Sequence, residues 1–165
     1  MAKSALASEK RIKLPFILLV EDDDNDALGI ELAFAKLELS AQVRRVVDGA
    51  HAMDYLEGKA DGSNSPAPRP SIVLMDLHMP RKDGFEVLSW IRAHPTFRHL
   101  VVVVLTSSEN EADIRKALDF GANSYLIKPD SFLEFTNMLQ QLAAFWKMHQ
   151  QPSSPATSIQ PATNA

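Results

Sequence analysis

Cysteine is absent from the 165-residue sequence, which excludes disulfides, thiolate nucleophiles and cysteine-ligated zinc. Long apolar runs are absent too. "LPFILLV" and "LVVVVL" fall far short of the roughly 20 residues that cross a bilayer, and "MAKSALASEKRIK" lacks the apolar stretch of a signal peptide. The expected setting is therefore cytoplasmic, with no membrane contact. There is no excess of basic charge: the net charge is -4 and the isoelectric point about 5.7, so no nucleic-acid surface is expected. No internal repeat occurs at a solenoid period. What is present is an ordinary globular composition, 45% hydrophobic and 23% charged, in a length that suits one domain.

Short apolar runs alternate with helix-like segments along the chain. "FILLV" (16–20) reads as a strand, and "DALGIELAFAKLEL" follows with Ala27, Ile30, Phe34 and Leu37 on one helical face. "AQVRRVV" (41–47) is a less apolar strand nearer an edge, and "GAHAMDYLEG" a short helix capped by Asp48. "SIVLMD" (71–76) is the third strand. "DGFEVLSWIRAH" is the next helix, with Asp83 and Glu86 spaced as a capping box. "LVVVVLT" (100–106) is the fourth strand. Ser108 and Glu111 repeat the capping-box spacing before "ADIRKALDF", and Gly121 suits a left-handed cap. "NSYLIK" (123–128) is the fifth strand, and a last helix runs to about Lys147 with Phe132, Phe135, Leu139, Leu142 and Trp146 on one face.

Five successive βα units predict an α/β fold, a doubly wound parallel sheet with helices on both faces. The expected division is a flexible segment over 1–13, a folded domain over 14–147 and a disordered tail over 148–165. The stretch 58–71, "GKADGSNSPAPRPS", reads as a surface loop.

Ligands of such sheets bind beyond the carboxyl ends of the strands. Glu21 and Asp22 stand at the first tip, Asp76 at the third, Thr106 at the fourth and Lys128 at the fifth. Two carboxylates about 4 Å apart repel by about 4 kcal/mol at an effective dielectric near 20, so Glu21, Asp22 and Asp76 together call for a cation. Oxygen ligands select magnesium, calcium or manganese, and Mg2+ is favoured because it accepts few protein carboxylates alongside water and phosphate oxygens. Lys128 and Thr106 suit the oxygens of a phosphoryl group. Asp76 is then a nucleophile able to form an aspartyl phosphate. An EF-hand is excluded, since Ala27 and Ala33 occupy the glycine and glutamate positions counted from Asp22.

The ordered set "ILLVED", "LMDLHMP", "VVLTS" and "YLIKP" resembles the receiver domains of two-component response regulators. The resemblance covers roughly residues 14–147. It implies the flavodoxin-like, CheY-like (βα)5 fold with strand order 2-1-3-4-5, a histidine kinase as phosphoryl donor and Asp76 as acceptor. It implies Mg2+ held by Glu21, Asp22, Asp76 and the backbone carbonyl of His78, with Thr106 and Lys128 on phosphoryl oxygens and Thr106 and Tyr125 as the switch pair. It also implies a cis bond between Lys128 and Pro129. His78 and Ser108 fall where dephosphorylation is tuned, and Glu21 replaces the commoner aspartate. The loop before the third strand and "FW" in the last helix are similar to the single-domain regulators paired with bacterial phytochrome kinases.

Asp23, Asp24 and Asp26 read as caps favouring the positive end of the first helix. His51, His94, His99 and His149 show no metal-ligand spacing. Met138 and Phe145, beside the main buried face of the last helix, are interface candidates for a homodimer or partner. The tail is too short for a three-helix DNA-binding module, so output is expected through protein contact or onward phosphotransfer. Two alternatives stand beside the receiver reading: an unphosphorylated protein-binding scaffold, and a phosphohydrolase of the haloacid-dehalogenase type, whose nucleophile would lie on the first strand.

Overall fold

The computed structural model describes residues 16–36, 43–59 and 67–148. The expected flexible segment 1–13, the centre of the 58–71 loop and residues 149–165 of the expected tail lie outside them. The strands are β1 (Ile17–Val20), β2 (Val43–Val46), β3 (Ile72–Met75), β4 (Val101–Thr106) and β5 (Ser124–Ile127), and the helices are α1 (Asp24–Lys36), α2 (Gly49–Leu56), α3 (Gly84–Ala93), α4 (Glu111–Asp119) and α5 (Phe132–Met148). All pairings are parallel, in the order β2-β1-β3-β4-β5. This is the predicted CheY-like arrangement. The less apolar β2 lies at the edge of the sheet, as expected, with exposed Arg44 and half-buried Arg45 between half-buried Val43 and Val46.

Strand alternation sorts the core into two layers. Ile17, Leu19, Ile72, Leu74, Val103 and Leu105 face α1 and α5, against Ile30, Phe34 and Leu139. Leu18, Val20, Val73, Met75 and Val102 face α2 and α3, against Tyr55, Leu88 and Ile91. Val104 joins Leu77, Phe85 and Ala117 in a smaller cluster under α4. β1 and β3 are buried on both faces, which is why they read as unbroken apolar runs.

Local signals set the helix ends. Asp48 caps α2 through the His51 amide, and Asp83 with Glu86 forms the expected reciprocal capping box on α3. The start of α4 corrects the reading: Asn110, not Ser108, is the N-cap, accepting from the Ala112 amide. Ser108 is drawn away because its hydroxyl donates to Asp113. On α5, Phe135 and Leu139 are buried as expected, but Phe132 is 43% exposed at the first turn, with the Lys36 ammonium over its ring. The side chain of Trp146 and residue Leu37 lie outside the described residues.

At the amino end of the sheet, Arg92 from α3 donates to the carbonyls of Arg98, Leu100 and Gly121 and to Asn123 Oδ1. Gly121 takes the predicted left-handed conformation (φ 93°) directly beside that guanidinium, where a side chain would collide with it. At the opposite end, Arg81 in the loop after β3 has φ 67°, and its guanidinium pairs with the buried Asp48.

Candidate functional site

Register brings the tip residues abreast. Val20 pairs with Met75, so the next residues, Glu21 and Asp76, lie side by side, and the Asp76 amide donates to the Val20 carbonyl at 3.1 Å. Thr106 pairs with Ile127, and the Lys128 amide donates to the Thr106 carbonyl at 2.8 Å. Alternation then assigns faces. Glu21, Asp76 and Lys128 continue the phase of Leu19, Leu74 and Leu126, which face α1 and α5. Thr106 continues the phase of Val104, and Tyr125 packs against the same small cluster under α4. Acids and ammonium thus meet on one side of the sheet, and the hydroxyl pair sits on the other.

The Lys128 ammonium touches three carboxylates: Glu21 Oε2 at 2.6 Å, Asp26 Oδ2 at 2.7 Å and Asp76 Oδ2 at 3.0 Å. Burial by itself would lower the pKa of Lys128, but hydrogen bonds to Asp26 and Glu21 and the charge of Asp76 outweigh it and raise it. Glu21 is almost wholly buried, and desolvation pushes its carboxyl above the ordinary 4.5 in spite of the bond from Lys128. A buried anion only partly compensated is a site that welcomes a further cation. Oxygens of Glu21, Asp22 and Asp76 lie within 4.8 Å of one another, and an all-oxygen donor set suits a hard divalent ion. Arg45 on β2 fixes the acidic turn from behind, donating to the carbonyls of Glu21 and Asp22 and pairing with Asp24.

Asp76 Oδ1 accepts from the Leu77 amide at 2.6 Å and the His78 amide at 3.3 Å, so the loop after β3 grips one oxygen while Lys128 faces the other. Gly84 lets the start of α3 approach this point: a Cβ there would lie 2.6 Å from the Asp76 carbonyl oxygen. Across the mouth, Asp113 Oδ2 accepts from the Ser108 hydroxyl at 2.7 Å and meets His78 Nε2 at 3.1 Å. Tyr125 donates its hydroxyl to the Ser108 carbonyl at 2.9 Å. Thr106 is fully buried, its Oγ1 accepting from the Ser108 amide at 3.4 Å.

Four tip residues singled out from the sequence, Glu21, Asp22, Asp76 and Lys128, therefore come together in one cluster, while Thr106 ends β4 with its hydroxyl on the Ser108 amide. Two sequence readings change. Asp26 is more than a helix-end charge, because it binds Lys128; Asp23 is the residue that caps, accepting from the Asn25 and Asp26 amides. The bond between Lys128 and Pro129 is trans, the isomer favoured for most X-Pro pairs. Asp113 and Arg45 were not singled out, and no local spacing marks them. Of the interface candidates, Met138 is half-buried against the α1/α5 core and Phe145 is 51% exposed.

Residues 17–140 match the response regulator receiver domain family. The probable methanogenesis regulatory protein FilR2 of Methanothrix harundinacea is 39% identical over 143 residues, spanning 86% of this chain and 90% of that protein. Response regulator Rcp1 of Synechocystis is 35% identical over 79% of this chain and 87% of its own length. Its Mn2+-bound crystal structure superposes with a TM-score of 0.72 at 34% identity, over 83% of this chain and 97% of that one. The phosphorylated cyanobacterial phytochrome response regulator RcpA gives a TM-score of 0.76 at 36% identity, over 85% and 99%.

The chain belongs to the response regulator receiver domains, signalling domains that work through a phosphoaspartate and interact with histidine kinases. Membership removes the haloacid-dehalogenase alternative. Among the described residues no helix is long and apolar enough to cross a membrane.

Proposed function

We propose that Asp76 is the phosphoryl acceptor. A carboxylate oxygen of Asp76 attacks phosphorus on a kinase phosphohistidine, a P–O bond forms, and the P–N bond breaks with its electron pair leaving on the imidazole. Glu21, Asp22, Asp76 and the backbone carbonyl of His78 would hold Mg2+. When bound, the ion neutralises charge on the phosphoryl oxygens. Lys128 supplies a second positive charge and Thr106 a hydroxyl donor. Hydrolysis returns the carboxylate, so the domain assists its own cycle rather than turning over an external substrate.

The observation that carries this reading is the placement of one ammonium 3.0 Å from Asp76 Oδ2, beside three carboxylates whose oxygens lie within 4.8 Å. Thr106 and Tyr125 convert the modification into a changed surface by shifting the population of two arrangements of the loop after β4. Support for that role comes from their shared dependence on Ser108, whose amide bonds Thr106 and whose carbonyl holds Tyr125. The likeness to RcpA favours a bacterial phytochrome as the kinase, in a cytoplasmic setting. The exposed Phe145, with Met138 at its edge, is the surface we assign to a homodimer or partner.

Incubation with Mg2+ and acetyl phosphate should add about 80 Da in an acid-labile form, as an acyl phosphate does, and Asp76→Asn should abolish it. Absence of the adduct in the wild type favours the scaffold alternative; its persistence in Asp76→Asn refutes the assignment of the acceptor.

A further inference from the structure

An ammonium has three N–H donors, and Lys128 spends them on Glu21, Asp26 and Asp76. A phosphoryl group on Asp76 brings new acceptor oxygens and added negative charge. The donor now on Asp76 can pass to one phosphoryl oxygen, and binding a second requires Lys128 to give up another partner.

The three partners are unequal. The side chain of Glu21 is 1% exposed, and losing Lys128 would strand a buried anion. Asp76 is the residue modified and cannot leave. Asp26 stands on the first turn of α1 with its side chain 47% exposed, so water replaces Lys128 there at little cost. The positive end of the helix also continues to favour its charge. The cheapest exchange is the one at Asp26.

Building on the acceptor role proposed above, we infer that Asp26 is a positioning residue that holds the Lys128 ammonium in the resting protein and surrenders it to a phosphoryl oxygen. The contact therefore favours the unphosphorylated state. It also couples the first turn of α1 to the chemistry at Asp76, through a pair 102 residues apart in sequence.

The test measures the affinity for beryllofluoride, a phosphoryl mimic, at saturating Mg2+ in the full chain. The proteins compared are the wild type, Asp26→Asn, Asp26→Glu and Asp24→Asn. Asp24 lies on the same helical turn but pairs with Arg45, so its substitution removes equal charge without touching Lys128. Asp26→Asn should bind the mimic roughly two- to fivefold more tightly, the range that a half-exposed ion pair implies. Asp24→Asn should change little, and Asp26→Glu should restore the wild-type value. Hydrogen exchange at the Asp26 and Ala27 amides should rise on adding the mimic to the wild type and be raised beforehand in Asp26→Asn. A purely structural Asp26 would lower the melting temperature and leave the affinity ratio at one. Equal gains in Asp24→Asn and Asp26→Asn, or no gain in either, overturn the inference alone; a wild type that does not bind the mimic overturns the acceptor reading.

Discussion

The α1/α5 face of the sheet and the α4 corner of the opposite face are built to different tightness. On the α1/α5 face, Ile30, Phe34 and Leu139 are fully buried against strand residues of β1 and β3 that are equally inaccessible. On the far side, under α4, the layer is thin. Ala117 is the only buried residue among the nine of α4, and β5 has none. The acids and the ammonium belong to the first face, and Thr106 and Tyr125 to the second. The charged groups rest on dense packing, whereas the pair proposed as the switch borders a region where few apolar contacts would be lost on rearrangement. Strand alternation assigns the two groups to their sides: one residue of phase moves a side chain from one face of the sheet to the other.

The sharpest way to break that contrast is with equal truncations on the two sides. Leu74→Ala, at a site with no exposure, should cost about 2–5 kcal/mol by urea denaturation. Leu118→Ala on α4, 49% exposed, should stay within about 0.5 kcal/mol. Comparable losses from both would show that α4 is as firmly seated as α1.

A divalent ion should tighten the α1/α5 side further. Mg2+ at a hundredfold excess over its dissociation constant is expected to add about 2.7 kcal/mol to the unfolding free energy, removed by chelation and absent in Asp22→Asn. Identical melting curves with and without the ion would refute the metal assignment.

A smaller effect sharpens the other side. Asp113 is held below its ordinary pKa of 3.8 by the Ser108 hydroxyl and then by the His78 ring. A depressed carboxylate contributes stability above its unfolded pKa and loses it as pH falls through the folded value. The Asp113 carboxyl carbon should therefore titrate with its midpoint below 3.8, and Ser108→Ala should move that midpoint upward. An unshifted midpoint would mean that the bond from Ser108 does not persist in solution.

Much of the fold was legible because its signals are local. The unbroken apolar runs of β1, β3 and β4 need only burial on both faces, and Asp48, Asp83 with Glu86, and Gly121 act within one turn of their own helix. The charged cluster was legible for a related reason: Glu21 with Asp22, Asp76 and Lys128 follow the ends of recognisable strands, and a parallel sheet aligns those ends. What escaped depends on contacts distant in sequence. An acidic residue in the first turn of a helix has a sufficient local explanation, so nothing marked Asp26 as a partner of Lys128. Ser108 and Asn110 are both competent caps, and only the position of Asp113, reached from Ser108 and from His78, decides between them. Phe132 has the spacing of a buried residue but stands at the helix end, beyond the reach of the core.

The bonds from Arg92 bear on how β5 can move. They fasten Gly121 and Asn123 at the root of that strand to the carbonyls that lead into β4. At the other end the Lys128 amide is tied to the Thr106 carbonyl and its ammonium to three carboxylates. A strand with few buried side chains is thus fastened at both ends, so the guanidinium at its root helps to set where the ammonium at its tip can reach.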